Sequence, residues 1–302
     1  MKKVLSISLG SSERDHRVET EIAGESFLIE RRGTDGDKQK AAHLFSQLDG
    51  KYDAFGLGGM DLFVFSGNNK YRIRETSKLI SGAKKTPVVD GSGLKDTLER
   101  NIIHQLDQSE IINFNDKKVL VVSVLDRFGM AETLSQVGAD IRAGDFLFVL
   151  GFPLVLNSLG PLSFLARIIA PLVVRLPLDL LYPLGEKQEQ RIIKKKYTKH
   201  MMRAEIIAGD FHFIKRYSPS QLSGKVIITN TVTDSDVSRL QKQGVQYLIT
   251  TTPELEGRSF GTNVIEALLV AMSEKEQVPL SSSEYFKLIN YFDFQPRIEK
   301  LN

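Results

Sequence analysis

The run KVLVVSVLD, Lys118–Asp126, constrains the fold more than any other stretch of the chain. Val119, Leu120, Val121 and Val122 are consecutive, so a strand built from them sends apolar side chains to both of its faces. Such a strand belongs inside a parallel sheet with helices on either side. The next segments, RFGMAETLSQVG and ADIRA, read as a helix stopped by Gly138 and a second strand. Strand, helix and strand at this spacing form a βαβ unit with a right-handed crossover.

The same alternation continues to the end of the chain. AEIIA, GKVIITNTV and VQYLITTTP are further strands. TDSDVSRLQKQG is a helix with Thr233 or Asp234 as its cap and Gly244 as its stop. GRSFGTNVIEALLVAMSEK begins as a glycine-bearing loop and becomes a helix. At 302 residues the chain has room for two domains. The expected class is α/β with two α/β units. An N-terminal substrate-side unit spans residues 1–112, and a Rossmann-like unit spans 113–302, a mostly parallel sheet with helices on both faces. The first unit carries a strand (KVLSISLG), a strand pair around Gly24, a helix ended by Gly50, the hairpin DLFVFSGNNKYRIRE and the helix LKDTLERNIIHQL.

An apolar and then basic insertion at about 151–203 interrupts the second unit. From Phe146 to Ala166 there is no charge in 21 residues, long enough to span a bilayer. Pro153, Gly160 and Pro161 inside it, and Pro171, Pro177 and Pro183 after it, favour short helices packed on a sheet or on a partner; a homo-oligomer is one such arrangement. EKQEQRIIKKKYTKHMMR, residues 186–203, reads as a helix with seven Lys/Arg against two Glu. Beside the apolar stretch it offers contact with an anionic membrane surface, though a solvated charged face is the commoner meaning of such a helix. A net charge of +3 and no tryptophan give no case for nucleic acid. The chain has no cysteine, which removes disulfides, thiolate metal sites and cysteine nucleophiles and suits a cytoplasmic protein. Five scattered histidines give no metal-binding spacing.

Candidate site residues gather where strands end, because open parallel sheets bind ligands beyond the carboxyl ends of their strands. Ala-Gly-Asp-Phe-x-Phe occurs at Ala143–Phe148 and again at Ala208–Phe213. Its aspartates, Asp145 and Asp210, either cap the next helix or accept a ligand hydroxyl. Asp145 stands 16 residues after Gly129, near the separation of a ribose-binding acid from its glycine turn. Asp126, Arg127 and Gly129 occupy the phosphate-turn position after the first strand of the second unit. Asp126 and Arg127 either face a ligand or pair with each other. Asn230 and Thr231 leave another strand end. Thr252, Arg258, Ser259 and Gly261 lie in the polar loop Thr250–Asn263, where Arg258 and backbone amides can hold a phosphate or carboxylate. Turn and capping chemistry uses the same residue types. In the first unit, Lys95 lies where a strand loop passes into a helix. Most lysines so placed are solvated; with Asp90 or Asp126 beside it, Lys95 can serve as an acid–base group.

The phrases SLGSSERDHRVE, GTDGD, GLGGMDLF, PVVDGSGLK, AGDFHFIKRY, ITNTVT and TTTPELEGRSFGTNVIEA together resemble a bacterial family that carries the name quinate 5-dehydrogenase, over nearly the whole chain. The resemblance implies oxidation of a secondary alcohol on a cyclitol carboxylate with NAD or NADP. Shikimate and quinate dehydrogenases have a similar two-unit order. Lys95 is the positional match to their catalytic lysine, and Asp116 to its partner aspartate. The chain departs from them in lacking a Gly-Ala-Gly-Gly-Ala loop, Asn-Thr-Asp-Gly and Asn-Arg-Thr. The residues alone equally allow a non-redox α/β enzyme or binding protein for a phosphorylated or carboxylated metabolite, centred on Arg258. Both readings expect a small anionic substrate.

Overall fold

A computed structural model describes residues 1–22, 24–66, 69–109, 111–181, 191–252, 254–255, 258–273 and 280–302. The first sheet is built from β1 (Lys2–Ser8), β2 (His16–Ile22), β3 (Glu25–Gly33), β4 (Ala54–Gly58) and β7 (Val88–Val89), in the order β2-β3-β1-β4-β7. Only β2 runs antiparallel, paired with β3. The hairpin β5 (Phe63–Ser66) and β6 (Asn69–Arg72) lies outside this sheet, and its expected tip at Gly67 and Asn68 falls outside the described residues. α1 (Lys38–Gln47) and α2 (Arg74–Leu79) cover one face, where Leu5, Ile7, Phe55 and Leu57 pack with Ala41 and Phe45. α3 (Ser92–Gln108) then leads into the second sheet.

That sheet comprises β8 (Lys118–Val121), β9 (Asp140–Ala143), β10 (Ile206–Ala208), β11 (Val226–Thr229), β12 (Tyr247–Thr250) and β15 (Arg297–Lys300). The order is β15-β12-β11-β10-β8-β9, all parallel except β15. Both faces are buried, as the consecutive apolar residues require: Val119, Val121, Ile206, Ala208 and Ile228 enter one core, and Leu120, Val122, Ile207 and Ile227 the other. The five parallel strands follow the 2-1-3-4-5 order of doubly wound sheets, whose switch point lies between β8 and β10. The helices of this half are α4 (Phe128–Gln136), α5 (Asp145–Phe148), α6 (Leu159–Val173), α7 (Leu178–Leu181), α8 (Lys195–Arg203), α9 (Phe211–Tyr217) and α10 (Asp234–Lys242).

The chain does not stay in the second unit. After the small hairpin β13 (Glu254–Leu255) and β14 (Arg258–Ser259), α11 (Thr262–Ser273) packs on β1 and β4 of the first sheet. Gly56 of β4 permits that approach, since a Cβ there would lie 2.8 Å from the Asn263 carbonyl oxygen. α12 (Ser282–Tyr291) packs on α3, and β15 returns to the second sheet. One hydrophobic core therefore joins the two sheets through α3, α4, α11 and α12.

The insertion is a strap between the two units. At one end, Leu156 exchanges backbone hydrogen bonds with Ala143 of β9 (2.8 and 3.0 Å), and Leu162 of α6 joins the core beside it. At the other end, Val174 and Leu178 enter the core of the first unit. There the Arg74 amide donates to the Val174 carbonyl (3.0 Å), and the Leu178 amide to Glu75 (2.6 Å). Among the described residues no helix is long and apolar enough to cross a membrane. The helix expected over 186–203 covers only Lys195–Arg203. Residues 186–190 lie outside the described part, and the Ile192 amide donates to Arg216 instead of entering a helix. Buried Tyr197 and Met201, four apart, set where α8 packs.

Candidate active site

The carboxyl ends of both sheets open onto one cavity of about 740 Å³. Lys95, in the first turn of α3, lies at its bottom. Its ammonium donates to Asp61 Oδ1 (2.7 Å), from the loop after β4, and to Asp126 Oδ1 (2.5 Å), from the loop after β8. The lysine side chain is only 11% exposed, Asp61 18% and Asp126 24%. This corrects the expectation that Lys95 is a solvated helix residue. Lys95, Glu99, Ile102 and Leu106 fall on one stripe of α3, and the stripe is buried.

A second ion pair adjoins the first. Glu99, one turn further along α3, pairs with Arg127, the residue after Asp126, and both side chains are 1% exposed. Arg127 also donates from Nη2 to Asp210 Oδ2 (3.1 Å) across the switch point between β8 and β10. Its Nε lies 3.6 Å from Asp126 Oδ2, so the two neighbours pair with each other, Asp126 as the partly exposed member at the cavity and Arg127 as the buried one behind it.

Electrostatics separates these groups. Burial alone would lower the pKa of Lys95, but Asp126 and Asp61 outweigh it and hold the amine protonated well above its ordinary range. Burial raises Asp61 to about 6, with Asp126 and Asp90 adding to the rise and Lys95 opposing it. Burial would also raise Asp210, yet His212, Arg127 and the His212 amide bring it down to about 2. The centre holds four carboxylates against two cations.

Several predicted residues support the loops instead of facing a ligand. Asp145 accepts the Val124 and Leu125 amides (3.0 and 2.9 Å) and shapes the turn after β8. Both of its oxygens are used there, so it does not reach a ribose. Gly129 turns toward α3: a Cβ would meet Arg100 Nε and Asp96 Oδ1 at 3.0 Å, so its role is close helix packing and not phosphate approach. Asp116, the expected partner of Lys95, sits in the turn before β8, at the opposite end of the strand from the cavity, where Asn115 donates to it (3.0 Å). Asp61 and Asp126 take that place. Asp90 lines the cavity, and its carboxylate accepts the Leu62 and Ser92 amides (2.7 and 3.0 Å). Thr252 is buried and donates to the Asn230 carbonyl (2.8 Å), tying two strand ends together. Asn230, Thr231 and Gly261 line the cavity, and Asn230 Nδ2 donates to Asp210 (3.0 Å). Arg258 and Ser259 pair with Leu255 and Glu254 through the backbone, and their side chains lie outside the described part.

Sequence reasoning passed over Asp61 and Glu99, and gave His16 and His212, each near an aspartate, no role. Among the described residues the buried ring nitrogens His16 Nε2 and His212 Nδ1 have no hydrogen-bond partner, and both residues line the cavity from opposite units. Glu99 was legible as a charge in the apolar stripe of α3. Asp61 carried no signal beyond its glycine loop, GLGGMD. Among the described residues no cluster of His, Asp or Glu is arranged to hold a metal ion. Of the residues expected to hold a dinucleotide, two do not fit that role, since Gly129 faces a helix and Asp145 is engaged by backbone amides, while Asp126, Asp210, Asn230, Thr231 and Gly261 line the cavity.

No curated protein matches the chain. Solved structures similar to it include a solute-binding protein of an ABC transporter from Burkholderia multivorans, 9% identical, covering 99% of each chain with a TM-score of 0.39. Another is dipicolinate synthase, A chain, from Bacillus subtilis, 12% identical, covering 97% of each chain, TM-score 0.30. A third is L-tryptophan dehydrogenase from Nostoc punctiforme, 13% identical, covering 89% of this chain and 67% of that one, TM-score 0.32. One family model, described as a domain of unknown function (DUF8753), matches residues 3–90, which carry the strands of the first sheet but not α11, the helix that packs on it. From the start of α3 onward, residues 93–301 match a second, and the chain belongs to that family, described as a domain of unknown function (DUF8754).

Proposed function

We propose that the chain is an enzyme that moves a proton at a hydroxyl or carbonyl of a small polar metabolite, with Lys95, Asp61 and Asp126 as its acid–base centre. The observation that carries this is an ammonium buried between two carboxylates at the bottom of a cavity lined by both units. An ammonium has three N–H donors, and two are spent on Asp61 and Asp126. The third can hold a substrate oxygen and stabilise the negative charge that forms on it. A protonated Lys95 is not the base that takes the hydroxyl proton; that role passes to Asp126, the more exposed carboxylate. Asp61, raised to about 6, can share the proton near neutrality.

An excess of carboxylates at the centre favours a hydroxyl or carbonyl there over a second anion. A substrate carboxylate or phosphate belongs away from that centre, where Arg14 and Arg31 of the first unit and Lys215 and Arg216 of the second also line the cavity, Arg31 beside Asp15 and Lys215 beside Asp236. Cyclitol oxidation with NAD or NADP uses the same proton transfer, but it needs a dinucleotide site whose turn and ribose acid Gly129 and Asp145 do not supply. That cofactor rests on the sequence resemblance alone.

The test starts with melting curves of the purified chain against quinate, shikimate, sugar acids, sugar phosphates, NAD and NADP. A ligand at 100 times its Kd adds about 2.7 kcal/mol. Turnover is then measured on each stabilising ligand. Asp126→Asn is expected to cut it by roughly 10²- to 10⁴-fold and leave binding in place. Wild-type turnover in Asp126→Asn ends the proposal, and a shift with NAD or NADP restores the oxidation.

A further inference from the structure

The cavity has two chemically different parts. Loops at the strand ends bring charged and hydroxyl groups. Three other stretches bring only apolar side chains to it: β5 with Phe63 and Val64, the segment after Asp145 with Phe146, Val149 and Leu150, and α6 with Leu162, Ala170 and Val173. The one charged residue of α6, Arg167, is exposed to solvent. The strap anchors α6 in the core of each unit, so its middle roofs the space between them.

We infer that the ligand of this cavity is amphipathic: a polar, hydroxyl-bearing head reaches Lys95, and an alkyl or similarly apolar tail lies under α6 between Phe63 and Val173. The inference rests on the proposed function for where the head sits. The tail stands on the roof alone. Leu162 and Ala170 are already buried, but Phe63, Val64, Phe146 and Val173 keep part of their surface exposed, and a wholly polar metabolite would leave that part facing water at a cost set by its apolar area. A tail removes that area from water. It also accounts for a 21-residue uncharged segment placed on the cleft instead of inside a unit.

Isothermal titration of the full chain with 3-hydroxyalkanoates from four to twelve carbons tests this, alongside a matched series of n-alkyl-1,2-diols, which carry no anion. Affinity is expected to rise about threefold to fourfold per added methylene and then level off once the compartment is full. Ala170→Phe, which narrows the roof without adding charge, should flatten the rise, with the largest loss for the longest chains. Val173→Asp should flatten it as well, which guards against one variant that fails to fold. Affinity independent of chain length in both series overturns the inference. A rise in binding without turnover of any head group upholds the apolar compartment and counts against the acid–base reading.

Discussion

Two ion pairs lie side by side between α3 and the end of β8, and they differ in what surrounds them. Lys95 and Glu99 are four residues apart on one helix face; Asp126 and Arg127 are adjacent in the facing loop. The Glu99–Arg127 pair is sealed, with both side chains 1% exposed. The Lys95 pair stands at the cavity and carries a second carboxylate, Asp61. A sealed pair fixes the position of α3 against the second sheet. An open pair with a spare donor can meet a substrate. Sequence places the two pairs alike, and solvent access divides the work between them.

The difference is broken most severely at Arg127. Arg127→Met strands Glu99 in the core, and breaking a buried pair costs about 3–5 kcal/mol. Urea denaturation is expected to show a loss of that size, and Glu99→Leu added to it should recover most of the loss, because an apolar pair of similar volume is tolerated where a lone charge is not. A small loss in the single variant would mean that the pair is not sealed.

Lys95→Met is expected to cost less, about 1–2 kcal/mol, because the stranded carboxylates have a way out. They are partly exposed, and Asp61 is already raised to about 6, so it takes up a proton instead of remaining charged. The pH dependence follows by sign. A carboxyl whose folded pKa is above its unfolded value near 3.8 gives stability that is full below about pH 4 and is lost as pH rises through the folded value. Without Lys95 that folded value moves further up. The stability deficit of Lys95→Met should therefore be flat up to about pH 6, where both proteins hold the Asp61 proton, and grow between about pH 6 and 8. A deficit independent of pH across that window would mean that Asp61 is not coupled to Lys95.

The sheets were legible because their signal is local. Consecutive valines require burial on both faces, and Thr233 and Gly244 bracket α10 as capping chemistry requires. The crossing of α11 back to the first sheet was not legible, since nothing in Thr262–Ser273 states which sheet its apolar face will meet. The repeated Ala-Gly-Asp-Phe shows the same limit at the site. Both glycines end a strand and both aspartates start a helix. Yet Asp145 turns inward to amides of the β8 turn and is raised by burial to about 6, while Asp210 faces the cleft and falls to about 2. Val124 and Leu125 lie 21 and 20 residues from Asp145, and Arg127, which adds to the effect of nearby His212, lies 83 residues from Asp210. Lys95 could have been placed by its stripe with Glu99, Ile102 and Leu106, because charges in a buried seam need partners; which carboxylates supply them is a matter of tertiary contact.

The smallest expected effect separates the two carboxylates that share Arg127. Asp210→Asn keeps the helix cap, since Asn caps as well as Asp, and Arg127 keeps Glu99. What is lost is one charge-assisted contact at the cleft edge, about 1 kcal/mol near neutral pH. Asp210 is depressed to about 2, so its contribution is present above an ordinary carboxylate value near 3.8 and is lost as pH falls through about 2. Denaturation of Asp210→Asn and wild type should differ by a constant amount from pH 5 upward and converge between about pH 4 and 2. Arg127→Met should instead lose its deficit at higher pH, as the stranded Glu99, raised by burial to about 7 even beside Arg127, takes up a proton. If Asp210→Asn costs as much as Arg127→Met, the guanidinium belongs to the cleft rather than to the core, and the division between a sealed pair and an open one fails at the residue the two share.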